Sequence, residues 1–265
     1  MQLLSFYILT YNCGKYLGKI LEQVNKVADE IVVVDSYSSD STQVIASRFT
    51  NNIFQKKFIN YAQQRTYAMN KCTNEWIFTL DSDEIPNDDL ITSINSLKKC
   101  DFNKFSGIDA YRILRYWYVL SKAVHSIYPN ASPDAPVRLF LKRKATYAYS
   151  SLVHETIHGF HNIALITSGH ISHYTFESKR EIKEKLQRYT DLAAFDAKKN
   201  GKHSSVLHAF GCAVFAFIKF YFIKGAFKDG LLGCITAKYA FDYTWSKYIK
   251  LIQLNKNAES GWKLS

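Results

Sequence analysis

The chain has 265 residues, of which 47% are hydrophobic, 15% aromatic and 22% charged, a composition that builds a large core and excludes disordered and fibrous proteins. Its five scattered cysteines contain no CxxC pair, which argues against a disulfide framework or a cysteine zinc site and favours a reducing compartment. The formal net charge is +11, and residues 177–265 hold 16 basic against 8 acidic residues, which favours an anionic partner such as nucleic acid, a phosphorylated substrate or an anionic membrane.

The first half of the chain alternates strand and helix patterns, which predicts βαβ crossover units. We expect a strand over residues 3–9, a helix with apolar positions between 17 and 27, and a strand over 31–34 whose β-branched run is typical of a buried parallel sheet. The elements expected next are a helix over 42–49, a short strand near 53, a helix over 61–71 and a buried strand over 76–80. Asp35 and Asp81 directly follow two of these strands, at the sheet edge where open α/β folds bind ligands.

The pattern changes beyond Pro86. Residues 110–120, 136–141 and 146–175 are rich in Tyr, Val, Ile and Thr, which predicts further strands of a mixed sheet. From residue 179 the pattern is helical, with helices expected over 179–199, 206–223 and 227–254. The sequence therefore predicts an α/β fold followed by a C-terminal helical region.

The strand over 76–80 ends in a DxD motif, Asp81-Ser82-Asp83. Two close carboxylates at a crevice suit a hard divalent cation, Mg²⁺ or Mn²⁺, which would bind the phosphate oxygens of a substrate. A loop of solvated acids is the alternative. An EF-hand is excluded because Ile85 and Pro86 stand where that loop requires a ligand and a glycine.

A polar run over residues 35–42 joins the strand over 31–34 to the next helix. Asp40 or Ser41 could cap that helix. Asp35 lies at the strand end and is not needed as a cap, so it could accept hydrogen bonds from a nucleoside. The two roles are compatible.

Five segments of the N-terminal third form an ordered pattern: Ile8-Leu9-Thr10-Tyr11-Asn12, residues 29–36 (DEIVVVDS), Ser39-Asp40-Ser41-Thr42, Gln64-Arg65 and residues 76–84 (WIFTLDSDE). In this order and spacing they resemble the signature of glycosyltransferase family 2, especially its bacterial branch of lipopolysaccharide core β-1,4-glucosyltransferases. The resemblance is strong over residues 1–86 and looser beyond. It implies a GT-A fold, in which a Rossmann-like mixed sheet binds a nucleotide-sugar donor.

Carried over residue by residue, the resemblance implies a donor-binding set: Thr10 and Asp35 for the base and ribose, Arg65 near the nucleotide, and Asp81 and Asp83 for the sugar nucleotide and a metal ion. Family members often have glycine where Tyr37 and Ser41 stand, and more often Lys-Asn-Glu at positions 11–13. The resemblance therefore assigns no contact to those positions, and the bulkier Tyr37 is expected to reshape its loop.

Two later residues complete the site by resemblance. Glu155, in Val153-His154-Glu155, is similar to the GT-A acidic motif that faces the acceptor, so it would be the general base; a strand glutamate at the surface is the alternative. His173 is the better match to the late histidine that completes the metal and diphosphate site. His170 lies three positions away and is expected to point to the opposite side of a strand, and a hydrogen-bonded strand histidine is the alternative for this segment.

The segment His154-Glu155-Thr156-Ile157-His158 also matches the HExxH motif of zinc hydrolases. That motif needs a helix so that both histidines share a face, whereas its surroundings here are strand-like and Gly159 follows directly. Glu177 could serve as a distant third ligand, so a zinc hydrolase stays an alternative function.

Residues 206–223 are apolar and aromatic but are interrupted by His208, Gly211 and Lys219. The run is short for a spanning helix, and a buried core helix is one interpretation. Because basic residues lie nearby, we instead expect a helix in the plane of an anionic membrane surface. The nearby residues are Lys224, Lys228, Lys238, Lys247 and Lys250.

The resemblance implies an inverting, metal-dependent glycosyltransferase that moves a hexose, glucose from UDP-glucose, to a glycolipid or oligosaccharide acceptor such as the lipopolysaccharide or lipooligosaccharide inner core. Residues 1–178 would form the GT-A catalytic domain and residues 179–265 the helical region. Residues 1–14 lack signal-peptide features, so we expect a cytoplasmic enzyme, peripheral on the inner face of the cytoplasmic membrane. A basic nucleic-acid-binding protein is a second alternative, but nucleic acid is not expected as a partner because no recognised motif is present.

Overall fold

The computed structural model describes residues 2–100, 102, 107–147 and 157–259, with side chains to residue 257. Within these residues the chain divides into two compact units. The first is built from residues up to 116, 134–147 and 157–173, and the second from residues 117–133 and 174–259.

The strands of the described residues are, in chain order, β1 (Leu4–Thr10), β2 (Glu30–Asp35), β3 (Ile53–Gln55), β4 (Trp76–Asp81), β5 (Glu84–Pro86), β6 (Ala110–Val119), β7 (Lys122–Ala123), β8 (Ser126–Ile127), β9 (Asn130–Ala131), β10 (Val137–Leu141), β11 (Thr146–Tyr147), β12 (Ile157–His158) and β13 (Ile163–Phe176). The helices are α1 (Gly14–Val24), α2 (Thr42–Ala46), α3 (Tyr61–Lys71), α4 (Asp88–Lys99), α5 (Lys179–Lys199), α6 (Val206–Ile218) and α7 (Leu231–Glu259). Short 3-10 turns cover Lys142–Lys144 and Ala226–Asp229, and α6 continues into a π-helical turn at Lys219–Ile223.

The main sheet is mixed. Its strand order is β3-β2-β1-β4-β10-β6-β13-β5. The first four strands are parallel, β10 runs antiparallel to β4 and β6, and β5 runs antiparallel to β13. The carboxyl ends of β2, β1 and β4 therefore lie side by side at one edge of the sheet.

The parallel strands are buried on both faces, as their unbroken apolar runs predict. Along β1, Phe6 and Ile8 join the cluster that includes Leu17 and Ile20 of α1. Tyr7 and Leu9 point the other way, into a cluster with Ala62, Ala68 and Met69 of α3. One strand thus anchors a helix on each face, which fixes the sheet edge beneath the candidate site.

The sequence patterns missed α4. Its side chains Leu90, Ile91 and Ile94 are buried at helical spacing, and the Asn87 side chain caps it by accepting a hydrogen bond from the Leu90 N–H. Acidic residues in its first turn and Lys98 in its last turn complement the helix dipole. The strand β5, with three residues, was also missed because it is too short to show a period.

The second unit contains α5, α6 and α7, with α7 packed against both other helices. Its apolar cluster includes Trp117, Val119, Ile127, Phe176 and Tyr239. The helix expected over 227–254 is broken at Gly230, which separates the 3-10 turn from α7.

The predicted α/β fold with a mixed sheet and C-terminal helices is confirmed. The second unit also takes in residues 117–133 and 174–178, which the sequence interpretation placed in the first domain. The functional boundary at residue 178 stays a prediction.

Candidate functional site

Polar residues gather at the carboxyl ends of β1, β2 and β4, all within the first unit. In the parallel register Thr10 pairs with Asp35 and Leu9 with Asp81. Thr10 and Asp35 are buried at this edge, and Asp81 is partly accessible. The structure therefore brings together the residues expected to contact a nucleotide.

The Asp35 carboxylate accepts four hydrogen bonds from neighbouring residues. Its Oδ1 accepts hydrogen bonds from the Thr10 hydroxyl at 2.9 Å and the Ser38 hydroxyl at 2.5 Å. Its Oδ2 accepts from the Ser38 N–H at 2.8 Å and from the Gln43 amide at 2.9 Å. Four donors match the roughly four lone-pair sites of a carboxylate, so Asp35 organises the 36–42 loop, and a ribose would have to exchange with these contacts.

The loops after β1 and β2 are joined by hydrogen bonds. The Asn12 Oδ1 accepts from the Ser39 N–H at 2.8 Å, and Asp40 accepts from the N–H groups of Gly14 and Thr42 at 3.1 and 3.0 Å. Of the two predicted caps for α2, Asp40 therefore serves its first turn, whereas Ser41 makes no side-chain cap hydrogen bond. The loops after β1 and β2 therefore form a preorganised border of the candidate site.

Tyr37 lies in this loop with φ at +62°, in the left-handed region that favours glycine. Its side chain is 58% exposed, so packing does not offset the backbone strain. Family members often have glycine at this position, and the Tyr37 backbone has a conformation that suits glycine.

We expect Tyr37→Gly to stabilise the protein by about 0.5–1 kcal/mol, because the relief of left-handed strain exceeds the extra entropy of glycine in the unfolded chain. Thermal denaturation measures this as a Tm rise of about 2 °C. Tyr37→Ala is the control, since it removes the same ring but keeps a Cβ at positive φ. Equal Tm values for the two variants would contradict a strained backbone at position 37.

The buried Arg65 pairs with the partly accessible Asp81. The Arg65 guanidinium donates 3.1 Å to the Thr79 hydroxyl and 2.5 Å to Asp81 Oδ1. The Arg138 guanidinium donates to Asp81 Oδ2 at 3.0 Å. Burial raises the pKa of Asp81, but the two guanidinium groups outweigh it and hold that pKa well below the ordinary value.

A second carboxylate, Glu84, lies fully buried behind the DxD loop. It accepts hydrogen bonds from Arg115 at 2.6 Å, from Arg138 at 2.5 Å and from the Asp81 N–H at 3.1 Å. Arg115 also makes a forked pair with Asp134, at 2.9 and 2.6 Å. The sequence interpretation gave no role to Glu84, Arg115 or Arg138, because they come from three strands and share no local spacing.

Asp83 faces His173. Asp83 Oδ2 lies 3.2 Å from His173 Nε2, and the Asp83 side chain is 32% exposed. His170 instead contacts the Asn87 side chain at 3.3 Å and the ring of Tyr116, as the alternation of a strand predicts. The structure therefore brings Asp83 together with the histidine that the resemblance selected.

Within the described parts of the chain, no three His, Cys, Asp or Glu side chains converge as a metal site. Asp83 and His173 converge as a pair, whereas both oxygens of Asp81 face guanidinium groups. A cation that also bound substrate phosphates and water would need only one or two protein ligands. The Asp83 carboxylate and the His173 imidazole therefore fit a divalent cation whose other ligands are phosphate oxygens and water.

Two sequence predictions concern residues outside the described part of the chain, namely Glu155 as the base and His154 as a zinc ligand. His158, the other zinc ligand, is exposed in β12, which pairs with β11. Because Ile157–His158 is a strand, the helix that HExxH requires is not formed at those residues, and the geometry disfavours the zinc hydrolase.

The second unit carries a separate candidate surface, the apolar patch, formed by exposed side chains of residues 206–231. Val206–Ile223 is long and apolar enough to cross a membrane, with a mean hydropathy of 1.9 and 22% of its residues buried, a criterion that core helices also meet. Its low burial argues against a core helix here. The patch consists of Val206, Leu207, Phe210, Phe215, Ile218, Phe222, Ile223, Phe227 and Leu231.

Comparisons with known proteins show what this chain is similar to. The family model described as "Glycosyl transferase family 2" matches residues 5–125. The lipopolysaccharide core biosynthesis glycosyltransferase LpsC of Rhizobium meliloti is 27% identical over 255 residues, covering 94% of this chain and 92% of that protein. An uncharacterised glycosyltransferase of Rickettsia prowazekii is 24% identical, covering 96% and 87% of the two chains. The crystal structure of Staphylococcus aureus TarS 1-349 with UDP-GlcNAc is 14% identical, covers 100% of this chain and 93% of that one, and has a TM-score of 0.47.

Proposed function

Because the chain belongs to glycosyltransferase family 2 through its residues 5–125, we propose that it transfers a hexose from a UDP-sugar to a saccharide of the lipopolysaccharide core. The chain is a glycosyltransferase, and its mixed sheet is the GT-A fold that the resemblance implies. The observation that carries the proposal is the DxD motif at the end of β4, where Asp83 faces His173. The similarity to LpsC over nearly the whole chain supports the acceptor class.

The donor would lie over the carboxyl ends of β2, β1 and β4. Thr10 and Asp35 would contact the base and ribose, and Arg65 would act from below by holding Asp81. Asp81 stays charged beside its guanidinium partners, so it can accept hydrogen bonds from hydroxyl groups of the sugar nucleotide. Glucose is the proposed hexose because the resemblance is closest to the glucosyltransferase branch.

Asp83 and His173 would hold a divalent cation, with the remaining positions taken by diphosphate oxygens and water. Such a cation neutralises the negative charge that develops on a departing UDP. An imidazole ligand is less suited to Mg²⁺, which prefers oxygen donors, so the pair favours Mn²⁺. Thermal stabilisation by UDP that increases with Mn²⁺ tests this assignment.

Inversion requires attack by the acceptor hydroxyl on the face of the anomeric carbon opposite UDP. Glu155 is the proposed base: it would take the hydroxyl proton as the new glycosidic bond forms and the bond to UDP breaks. This assignment is supported by the resemblance of Val153-His154-Glu155 to the acidic motif of GT-A enzymes.

We expect Glu155→Gln to lower kcat by about 100-fold while the Kd for UDP stays unchanged, because the amide keeps the shape but cannot accept the proton. Single-turnover transfer and calorimetric UDP binding measure the two quantities separately. Equal losses of kcat and UDP affinity would instead assign Glu155 to donor binding.

A panel of nucleotide sugars tests the donor class directly. Hydrolysis or thermal stabilisation would be measured for UDP-glucose, UDP-GlcNAc, GDP-mannose and CMP-sialic acid, each with and without Mn²⁺. The proposal expects the largest effects with UDP-glucose, whereas stabilisation only by GDP- or CMP-sugars would contradict it.

The second unit would attach the enzyme to the cytoplasmic face of the membrane that carries its glycolipid acceptor. Large apolar side chains of the patch are exposed, with Leu207 and Leu231 at 82% and 81%, and Lys219, Lys224 and Lys228 are exposed around them. Apolar burial combined with attraction to anionic lipid is how in-plane helices bind membranes. In this proposal residues 1–178 perform the transfer and residues 179–265 supply the membrane contact.

A further inference from the structure

Six buried or half-buried side chains of the first unit form a row in which acidic and basic groups alternate. Each neighbouring pair is in contact at 2.5–3.0 Å, and three carboxylates face three guanidinium groups. In order, the row is Asp134, Arg115, Glu84, Arg138, Asp81 and Arg65. Of the three carboxylates, only Asp134 and Asp81 have accessible side chains, which are 24% and 26% exposed.

Glu84 is the central carboxylate of this row and is fully buried. It reaches Asp81 by two routes, directly through the Asp81 N–H and indirectly through Arg138, which contacts both carboxylates. The sheet also places Glu84 opposite His173 in the β5–β13 register, with the His173 Nδ1 at 3.6 Å. One buried carboxylate therefore borders both Asp81 and the partner of Asp83.

We infer that Glu84 is a positioning residue for donor binding, which fixes the Asp81 carboxylate through Arg138 and through the Asp81 backbone N–H. The inference rests on the proposed function, since it assumes that Asp81 contacts the sugar nucleotide. Glu84 itself has no accessible surface and touches no substrate.

The geometry favours this role over stability alone. Buried ion pairs are often no more stabilising than apolar residues of the same volume, so a row of six charges is weakly explained by stability. Its contacts instead restrain one partly open carboxylate from two sides, since both oxygens of Asp81 are fixed by guanidinium groups. Fixed dipoles and charges of this kind lower the reorganisation that binding requires.

The test compares Glu84→Gln with Asp134→Asn, a matched control that removes one carboxylate charge from the same row without touching Asp81 or Arg138. Both variants are expected to lower Tm. Glu84→Gln is expected to weaken UDP binding in the presence of Mn²⁺ by about 10- to 100-fold, as for other residues that orient ligand groups. Asp134→Asn is expected to stay within about twofold of the wild type.

Arg138→Lys provides a second variant should Glu84→Gln fail to fold. Lysine keeps the positive charge, but its ammonium ends about one bond short of the Arg138 Nη2 atom, which contacts both carboxylates. It is expected to weaken UDP binding to a similar extent with a smaller loss of Tm. The positioning role would be overturned if the loss of UDP affinity were proportional to the loss of Tm in all three variants. It would also be overturned if all three variants kept the wild-type UDP affinity.

Crystal structures of the variants separate this inference from the donor assignment. In Glu84→Gln the Arg138 guanidinium is expected to leave Asp81, whereas in Asp134→Asn the 3.0 Å contact should remain. An unchanged Asp81–Arg138 contact in Glu84→Gln overturns the inference, whatever the donor. If the wild-type protein does not bind UDP but Arg138 still leaves Asp81 in Glu84→Gln, only the donor assignment is overturned.

Discussion

Asp83→Asn should lower kcat/KM by about a thousandfold, or ~4 kcal/mol of transition-state stabilisation, and should remove the Mn²⁺ dependence of UDP binding. The amide keeps the size of the side chain but loses the charge that a divalent cation requires. The fold should persist, because the Asp83 side chain is 32% exposed and an asparagine of the same size can still hydrogen-bond His173. Steady-state kinetics and calorimetric titration of UDP, with and without Mn²⁺, measure these effects.

Asp88→Asn is the matched control for this prediction. It removes a carboxylate of the same unit that is 75% exposed and forms a surface ion pair with Lys26. Its kcat/KM should remain within about twofold of the wild type. Full activity in Asp83→Asn, or a metal effect that persists there, would contradict the metal assignment.

The strands and helices around the candidate site were predictable because their patterns are local. The apolar runs that end at Asp35 and Asp81 predict β2 and β4, and both structural elements end at those residues. The helix expected over 179–199 coincides with α5. The helix α4 was not predicted, although its cap Asn87 and its acidic first turn are local signals of a helix start.

The sheet edge that carries the candidate site was also predictable, but the ion pairs that support it were not. Asp83 and His173 are 90 positions apart, and only the resemblance linked them before the structure placed them at 3.2 Å. Glu84, Arg115 and Arg138 lie on different strands, so their contacts depend on sheet order and register. No spacing along the chain encodes those long-range pairings.

Reversing the charge of three lysines around the apolar patch should release the protein from anionic vesicles. The triple change Lys219→Glu, Lys224→Glu and Lys228→Glu is expected to cost about 3–6 kcal/mol of membrane binding, or roughly 10²–10⁴-fold. Among the described residues these lysines make no ion pair, whereas Lys238 pairs with Asp242 at 2.5 Å and is left unchanged. Cosedimentation with vesicles of phosphatidylglycerol and phosphatidylcholine measures the loss.

The control places the same reversal on α5, at Lys179, Lys183 and Lys199, which are also exposed. Each triple variant changes the formal net charge by −6, from +11 to +5, so a general charge effect would release both. The proposal expects release only when the lysines near the patch are changed. If high salt does not extract the wild-type protein from vesicles, residues 206–223 form a spanning helix. If the wild-type protein does not bind anionic vesicles at low salt, the patch binds a partner other than the membrane.

The contact between α6 and α7 has a consequence for the proposed membrane attachment. The buried residues of α6 are Ala209, Ala213 and Ala216, and α7 contributes the buried residues Ala237 and Ala240. Small side chains let helix backbones approach closely, and the resulting van der Waals packing persists in lipid as well as in water. In the proposed membrane attachment, this close packing would persist when the exposed face of α6 moves from water to lipid, so the helix pair would bind and leave the membrane without refolding.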